Sequence, residues 1–199
     1  MAASAAPQAL TDYLRDAGID LLIDATHPFA VVISQAAAEA CTARGIPRLM
    51  LVRPAWMPQP GDDWHAVASL EEAAARCLGS AAGCSSRPGR QRRLRALPRS
   101  GSCCGCSPKP SAPLPLARCT TIIAPPPFTL EGEAALLARH RIEALVCKNS
   151  GGPTQAKLAA ARTKGLPVII LRRPRLPEGE RAAGPEEALT WLRERVVNA

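Results

Sequence analysis

The sequence contains an internal repeat that limits the possible folds. In each half, a short apolar run, a polar bend and a helical pattern are followed by Gly-x-Pro and a second apolar run. Apolar runs without alternation are typical of parallel strands that are covered on both faces. The sequence therefore predicts an α/β protein with two related doubly wound halves. At a constant offset of 120 positions, the matched residues are Gly45, Pro47, Arg53 and Pro54 with Gly165, Pro167, Arg173 and Pro174.

The middle of the chain differs in composition from both halves. Between Leu78 and Arg118, eighteen of 41 residues are Pro, Gly or Ser, eight are Lys or Arg, and none is acidic or aromatic. Such a composition cannot bury enough apolar surface to fold. The expected organisation is a partial amino-terminal Rossmann-like domain over residues 1–78, a disordered or frame-shifted basic linker over 79–118, and a carboxy-terminal Rossmann-like domain over 119–199.

Three interpretations of this middle segment are open. A basic linker could bind RNA or DNA, but it lacks the interleaved aromatic side chains that stack on bases. A zinc site could use four of its cysteines, but no histidine lies nearby. A GC-rich gene translated one base out of frame would also give Arg, Pro, Gly, Ser, Ala and Cys, and we favour this interpretation. The four cysteines are Cys84, Cys103, Cys104 and Cys106.

The net charge of +8 does not indicate a generally basic surface. Outside the middle segment, 17 basic residues balance 17 acidic ones, so nucleic acid is not an expected partner. No apolar run approaches the roughly 18 residues that a membrane span needs, and the amino terminus lacks a signal-peptide pattern. We expect a cytoplasmic monomer without a membrane partner, in which cysteines are free thiols.

The first candidate site follows a predicted strand at residues 19–23. Asp24 can accept a hydrogen bond from a ligand hydroxyl or orient His27, and Thr26 can donate one. His27 can transfer a proton or bind an anion near neutral pH, and Pro28 makes the bend rigid. Ser34 lies about two helical turns further on. The structural alternative for His27 is a helix-capping or core histidine, but a strand-end Asp beside it favours a function.

The second candidate site is the bend that follows the buried strand at residues 142–147. Its two glycines allow close approach of the backbone to a ligand, and the start of the next helix favours an anion. An ordinary polar turn is the structural alternative. The bend and the helix after it supply Lys148, Asn149, Ser150, Gly151, Gly152, Thr154 and Lys157.

Other residues give weaker indications of function. Arg53 and the pair Arg172 and Arg173 follow strands and precede proline, so they could bind carboxylates or phosphates or form solvated strand ends. Cys147 has no histidine near it in sequence, which favours a buried thiol over a nucleophile. No HExxH, P-loop or GxSxG motif is present, which argues weakly against hydrolysis. The function classes that remain are ligand binding with group transfer or with hydride transfer.

Together these motifs resemble the precorrin-6A or cobalt-precorrin-6A reductases of cobalamin biosynthesis. The resemblance covers roughly residues 10–77 and 120–175. It is carried chiefly by Asp-Ala-Thr-His-Pro-Phe-Ala from Asp24, Lys-Asn-Ser-Gly-Gly from Lys148, and Arg-Pro-Ala-Trp from Arg53. It implies two Rossmann-like domains with the active site between them, where NADPH or NADH gives hydride to one double bond of a carboxylate-rich tetrapyrrole.

The resemblance also implies roles for individual residues. His27, Asp24 and Lys148 are the candidate catalytic residues, and no metal is expected. The proton that accompanies hydride transfer could come from His27, or from a water held by Asp24, Ser34 or Lys148. The bends after the two strands are expected to face each other across a shared cleft. Substrate or cofactor binding is implied for Thr26, Pro28, Phe29, Ser34, Arg53, Asn149, Ser150, Gly151, Gly152, Thr154 and Lys157.

Two departures from the family are visible in the sequence. The family usually opens with a strand and a Gly-Gly-Thr turn, whereas Met1 begins after that point, so the first domain is expected to be incomplete. The family's Arg-Gly before Pro-Phe is replaced by Pro125 and Pro126. A sheet without its first strand exposes unpaired edges. We therefore expect a poorly stable chain whose reductase activity is weakened or lost.

Overall fold

The computed structural model has two parallel sheets. Every strand pair in the described part of the chain is parallel, which confirms the predicted α/β class. The chain divides into a first unit, residues 1–54 with 174–199, and a second unit, residues 55–173. The structure describes residues 5–78, 83–86, 102–106, 119–123, 128–152 and 155–196.

Helices and strands alternate along most of the described chain. In chain order they are α1 (Ala5–Asp16), β1 (Leu22–Asp24), α2 (Val31–Arg44), β2 (Arg48–Leu51), β3 (Trp64–Val67), α3 (Leu70–Leu78), β4 (Gly83–Ser86), β5 (Ser102–Cys106), β6 (Cys119–Ile123), α4 (Leu130–Arg139), β7 (Ile142–Lys148), α5 (Ala156–Thr163), β8 (Val168–Leu171), β9 (Glu180–Ala182) and α6 (Pro185–Val196).

The first unit is built on the strand order β1-β2-β9. Leu49 of β2 is almost fully buried and packs with Ala182 of β9 and Trp191 of α6. A second cluster joins Leu14 of α1 to Ala40 of α2. Helices therefore cover the sheet through small and branched apolar side chains. A side-chain contact between Thr26 and Ser34 brings the segment after β1 next to the start of α2.

The second unit contains the strand order β3-β8-β7-β4-β5-β6. Its main core cluster joins Leu145 and Cys147 of β7 to Leu158 of α5 and Ile170 of β8. All four residues of β8 are buried, as expected for a strand covered on both faces. Trp56, which lies outside the regular elements, packs into the same cluster.

The repeat seen in the sequence corresponds to equivalent backbone structure in the two units. Gly45 ends α2 with φ of 66°, and Gly165 follows α5 with φ of 61°, a conformation that glycine adopts without strain. The carbonyl of Pro47 accepts a hydrogen bond from the first residue of β1 at 3.1 Å, and that of Pro167 accepts one from β7 at 2.9 Å. The matched Gly-x-Pro segments thus end a helix and start a strand in the same way.

The units differ from the boundaries that the sequence predicts. Residues 174–199 belong to the first unit because β9 pairs with β2, and β3 belongs to the second unit because it pairs with β8. Two strands, β4 and β5, lie in the segment for which we predicted a linker and pair within the sheet of the second unit. Most of residues 79–118 lies outside the described residues, and the frame-shift interpretation stays a prediction.

None of the described helices combines the length and the apolar composition that crossing a bilayer requires.

Candidate functional site

Strand β1 ends at a buried carboxylate. Asp24 is 6% exposed, and its Oδ1 accepts hydrogen bonds from the backbone N–H of Thr26 at 3.0 Å and from the Thr26 hydroxyl at 2.6 Å. Ser34, in the first turn of α2, places its Oγ 3.0 Å from Thr26 Oγ1 and also hydrogen bonds to Asp24. The strand end, the bend and the helix start are thus joined through one carboxylate.

The hydroxyl groups keep Asp24 ionised. Burial raises the pKa of Asp24, but hydrogen bonds from Ser34 and Thr26, with the charge of Arg48, outweigh it and hold the pKa below the ordinary 3.8. An ionised carboxylate accepts hydrogen bonds and has no proton to donate. Asp24 can therefore fix the bend or hold a donor group of a ligand near neutral pH, but it cannot serve as the acid.

His27 is exposed and is oriented by its own bend. Its Nδ1 accepts the backbone N–H of Phe29 at 3.2 Å, and its carbonyl accepts the N–H of Ala30 at 2.7 Å. The rings of His27 and Phe29 lie 5.7 Å apart between centroids at 48°. Because Nδ1 is an acceptor in this arrangement, the neutral imidazole carries its proton on Nε2. Buried Pro28 separates the two rings in sequence and restricts the bend.

The corresponding bend of the second unit is organised by Asn149. Its side-chain oxygen accepts the backbone N–H of Trp56 at 2.8 Å, and its side-chain nitrogen donates to the Trp56 carbonyl at 3.0 Å. Its own N–H donates to the carbonyl of Leu171, and its carbonyl accepts Nε of Arg173 at 2.8 Å. Asn149 therefore acts here as a structural link, and a contact with a ligand would be additional to these bonds.

The indole of Trp56 completes this arrangement. Trp56 is 8% exposed, and its Nε1 donates to the carbonyl of Gly152 at 2.9 Å. Lys157 is buried in the first turn of α5. Its Nζ lies 5.5 Å from the centre of the Trp56 ring, within the range of a cation–π interaction. One aromatic side chain thus contacts both the glycine bend and a buried cation.

The glycine bend has the backbone and the charge for an anionic ligand. Gly151 and Gly152 have φ of 68° and 79°, values that other residues adopt only with strain. Ser150 turns the chain through its N–H to the Lys148 carbonyl at 2.8 Å. Burial lowers the pKa of the Lys148 ammonium from its ordinary 10.5, so this lysine releases a proton more readily than an exposed one. With Lys157, the bend suits a carboxylate or phosphate group.

The structure places the predicted site residues in two groups, one in each unit. In the first unit Asp24, Thr26 and Ser34 share hydrogen bonds, and His27 pairs with Phe29 through its own bend. In the second unit the residues from Lys148 to Gly152 form one bend beside Lys157. Cys147 is buried in the core, as predicted, and burial raises the pKa of its thiol. Arg53 is exposed, and Thr154 lies outside the described residues.

Two features around this bend have no clear signal in the sequence. The first is the role of Trp56, which carries part of the family resemblance. Its backbone pairs with the side-chain amide of Asn149, 93 positions away, and such a distant contact leaves no local sequence pattern. The second feature is the ion pair between Asp62 and Arg162, at 2.8 Å and 3.2 Å, which attaches the segment after Trp56 to α5.

Comparisons with known proteins show which family this chain resembles. A family model described as Precorrin-6x reductase CbiJ/CobK matches residues 2–193, a range that includes the middle segment. A precorrin-6A reductase of Rhodococcus erythropolis is 39% identical over 190 residues, which cover 92% of this chain and 75% of the relative. A precorrin-6A reductase of Rhodobacter capsulatus is 38% identical over 186 residues, with 92% and 74% covered.

A solved structure of the same family has a similar backbone. A structure of CobK precorrin-6A reductase matches with a TM-score of 0.89 and 37% identity, over 94% of this chain and 78% of that one. Relatives named cobalt-precorrin-6A reductase are less similar, at 30% and 28% identity. Similarity in sequence and in backbone therefore covers most of the chain.

Proposed function

The chain belongs to the precorrin-6x reductase CbiJ/CobK family, and we propose that it reduces one double bond of precorrin-6A in cobalamin biosynthesis. A reduced nicotinamide cofactor supplies the hydride when it is bound. The observation that supports this proposal best is the glycine bend with its two lysines. It fits the phosphates of such a cofactor or the carboxylates of a tetrapyrrole.

The proposal includes a choice of cofactor and of substrate. We propose NADPH in preference to NADH, because Lys148 and Lys157 flank the bend and NADPH carries one more phosphate. We propose the metal-free substrate, because identity is higher to the relatives named for precorrin-6A than to those named for the cobalt form. Thr26 and Ser150 in the two bends, and exposed Arg53 after β2, remain candidate ligand-binding residues.

His27 is the proposed proton donor. Its ring is exposed, and the protonated imidazolium form can give one proton to the substrate and return to the neutral form. Asp24 is excluded from this role because its pKa is lowered, and we propose that it fixes the bend that presents His27. Lys148, whose pKa burial lowers, is the second candidate donor. The residue that donates is expected to protonate the carbon next to the one that receives hydride.

The test is a set of rate measurements on the full chain. Oxidation of NADPH and of NADH is followed with precorrin-6A and with its cobalt form, and the proposal expects the highest kcat/KM for NADPH with precorrin-6A. His27→Ala should lower kcat about 100-fold, the lower range for loss of a general acid. The matched control is His65→Ala, which removes a partly exposed histidine paired with Asp63 at 3.0 Å.

The outcomes separate the possible functions. Equal losses in the two histidine variants would exclude His27 as the donor. Binding of NADPH and precorrin-6A without turnover in the unmodified chain would replace the reductase by a tetrapyrrole- or nucleotide-binding protein of the same fold. Absence of binding and turnover would contradict the proposed function itself.

A further inference from the structure

We infer that Trp56 is a positioning residue for the ligand that binds at the glycine bend, and this inference rests on the proposed function. Trp56 is distant from the bend in sequence but bonded to it at two points. Its backbone N–H and carbonyl pair with the Asn149 amide, and its indole N–H donates to the carbonyl of Gly152, so Trp56 links Asn149 to the second glycine.

Three hydrogen bonds fix Trp56, and one of them fixes the bend. The two bonds between the Asn149 amide and the Trp56 backbone hold the main chain at residue 56, at 2.8 Å and 3.0 Å. The indole N–H then holds the carbonyl of Gly152 at 2.9 Å. Because glycine has the greatest backbone freedom of any residue, a bend containing Gly151 and Gly152 needs such an external restraint to keep one conformation.

The same indole also contacts the buried cation of the site. Lys157 Nζ lies 5.5 Å from the centre of the ring, and the side chain is buried with Trp56. A cation held over an aromatic ring in a buried place keeps its charge near that ring. Trp56 therefore positions two groups that an anionic ligand would contact, the glycine backbone and the Lys157 ammonium, without contacting the ligand itself.

Replacing Trp56 by phenylalanine separates positioning from packing. Trp56→Phe keeps an aromatic ring in the core and under Lys157 but removes the N–H that holds Gly152. We expect KM for NADPH or for precorrin-6A to rise about fivefold, the factor that corresponds to one neutral hydrogen bond, with kcat unchanged within about twofold.

Trp191→Phe is the matched control. Trp191 is 7% exposed, donates its Nε1 to Glu180 at 2.9 Å and has Arg195 4.2 Å from its ring centre, so it has the same burial and the same types of contact. It belongs to α6 in the first unit, and the core cluster in which it packs contains no residue to which we assign a role in binding. Both variants should lose stability, and the loss in Trp191→Phe should be at least as large because its indole N–H binds a carboxylate, but only Trp56→Phe should change KM.

A spectroscopic measurement on the unmodified chain covers the case in which Trp56→Phe does not fold. The protein has three tryptophans, so their indole N–H signals can be resolved by NMR and followed as ligand is added. We expect the Trp56 signal to shift with NADPH or with precorrin-6A, while the Trp191 signal stays in place. Equal KM values for wild type and Trp56→Phe, or an unmoved Trp56 signal at saturation, would overturn the inference.

This test is separable from that of the proposed function. If the unmodified chain shows no reductase activity with either cofactor and either substrate, the proposed function is contradicted. An active unmodified chain in which Trp56→Phe and Trp191→Phe behave alike would contradict only the positioning role.

Discussion

At the scale of single residues, hydrogen-bonded polar side chains keep the two bends in one conformation. Buried Asp24, the last residue of β1, binds Thr26, and partly buried Asn149, which follows β7, binds the backbone of Trp56. A polar group that is shielded from water and hydrogen bonded restricts the chain more than an apolar one, because an alternative conformation leaves the group unpaired. These two residues therefore set the shape of the bends that carry the proposed chemistry.

The first prediction concerns Ser34. Ser34→Ala removes a hydrogen bond from the Asp24 carboxylate, so the pKa of Asp24 should rise towards 3.8. At neutral pH the variant should lose about 1 kcal/mol of unfolding free energy, the typical net value of one hydrogen bond. Because the folded pKa of Asp24 lies below its unfolded value, this stabilisation is present above the unfolded pKa and is lost as pH falls through the folded pKa.

Urea unfolding at neutral pH and in acid measures this effect. The difference between wild type and Ser34→Ala should narrow as the solution becomes more acidic than the unfolded pKa of Asp24. Thr190→Ala is the control, since its hydroxyl donates to a helix carbonyl at 3.1 Å on the exposed face of α6 in the same unit. A loss that stays constant over the whole pH range would contradict the account of Asp24.

At the scale of secondary-structure elements, the connection between β2 and β3 is more ordered than its proline-rich sequence indicates. Asp62 has a side chain that is 1% exposed, and Arg162 of α5 binds both of its oxygens. Burial raises the pKa of Asp62, but hydrogen bonds from Arg162 and from the N–H of Gln59 outweigh it and lower the pKa. The segment that carries Trp56 is thus attached at a second point.

The second prediction is that this ion pair stabilises the second unit. Arg162→Met keeps much of the apolar stem but leaves the Asp62 carboxylate without its cation, and we expect a loss of about 2 kcal/mol, between the values for exposed and buried pairs. Arg76→Met is the control, because Arg76 lies 3.8 Å from Glu72 in an exposed pair on α3. Its loss should stay within about 0.5 kcal/mol. Thermal unfolding that shows equal losses in both variants would contradict the assigned role.

Much of the fold could be predicted because several elements have strong local patterns. The spacing predicts α3 at its observed bounds and strand β8 at residues 168–171, and Gly-x-Pro marks the end of α2 and α5. Helix α4 was missed although a signal exists: Thr129 accepts the N–H of Gly132 at 3.1 Å as a helix cap, and acidic residues follow it. Strands β3 and β9 are short, and their formation depends on partners far away in sequence.

The sequence indicates which residues lie in the two bends, but it does not indicate which side chains bind to each other there. The strand-end rule identified Asp24 and Lys148, because ligands bind at the carboxyl ends of parallel strands. It did not identify the partner of each side chain: His27 is held by Phe29, and Asn149 is held by Trp56. The apolar spacing over residues 30–43 predicts a helix that buries Ile33, Ala37, Ala40 and Cys41 on one face; the last three are buried, but Ile33 is 45% exposed and Ala36 is buried instead. Alanine-rich helices pack on whichever face allows the closest approach.

At the scale of the whole molecule, residues from both ends of the chain build the first unit. Strand β9 and α6 complete a sheet that begins with β1, so the carboxy-terminal residues are part of its core. The family match over residues 2–193 includes the middle segment, from which β4 and β5 enter the sheet of the second unit. The two parallel sheets therefore depend on pairings that are distant in sequence, such as those of β9 with β2 and of β3 with β8, which no local pattern indicates.

Isotope transfer tests the reductase function most directly. The chain is incubated with precorrin-6A and NADPH that carries deuterium at the transferred position of the nicotinamide ring, and the product is analysed by mass spectrometry. We predict a reduced tetrapyrrole that contains one deuterium bound to carbon, formed at the rate at which NADPH is oxidised. Oxidation of NADPH that leaves no deuterium in the tetrapyrrole, or an unchanged tetrapyrrole after prolonged incubation, would contradict it.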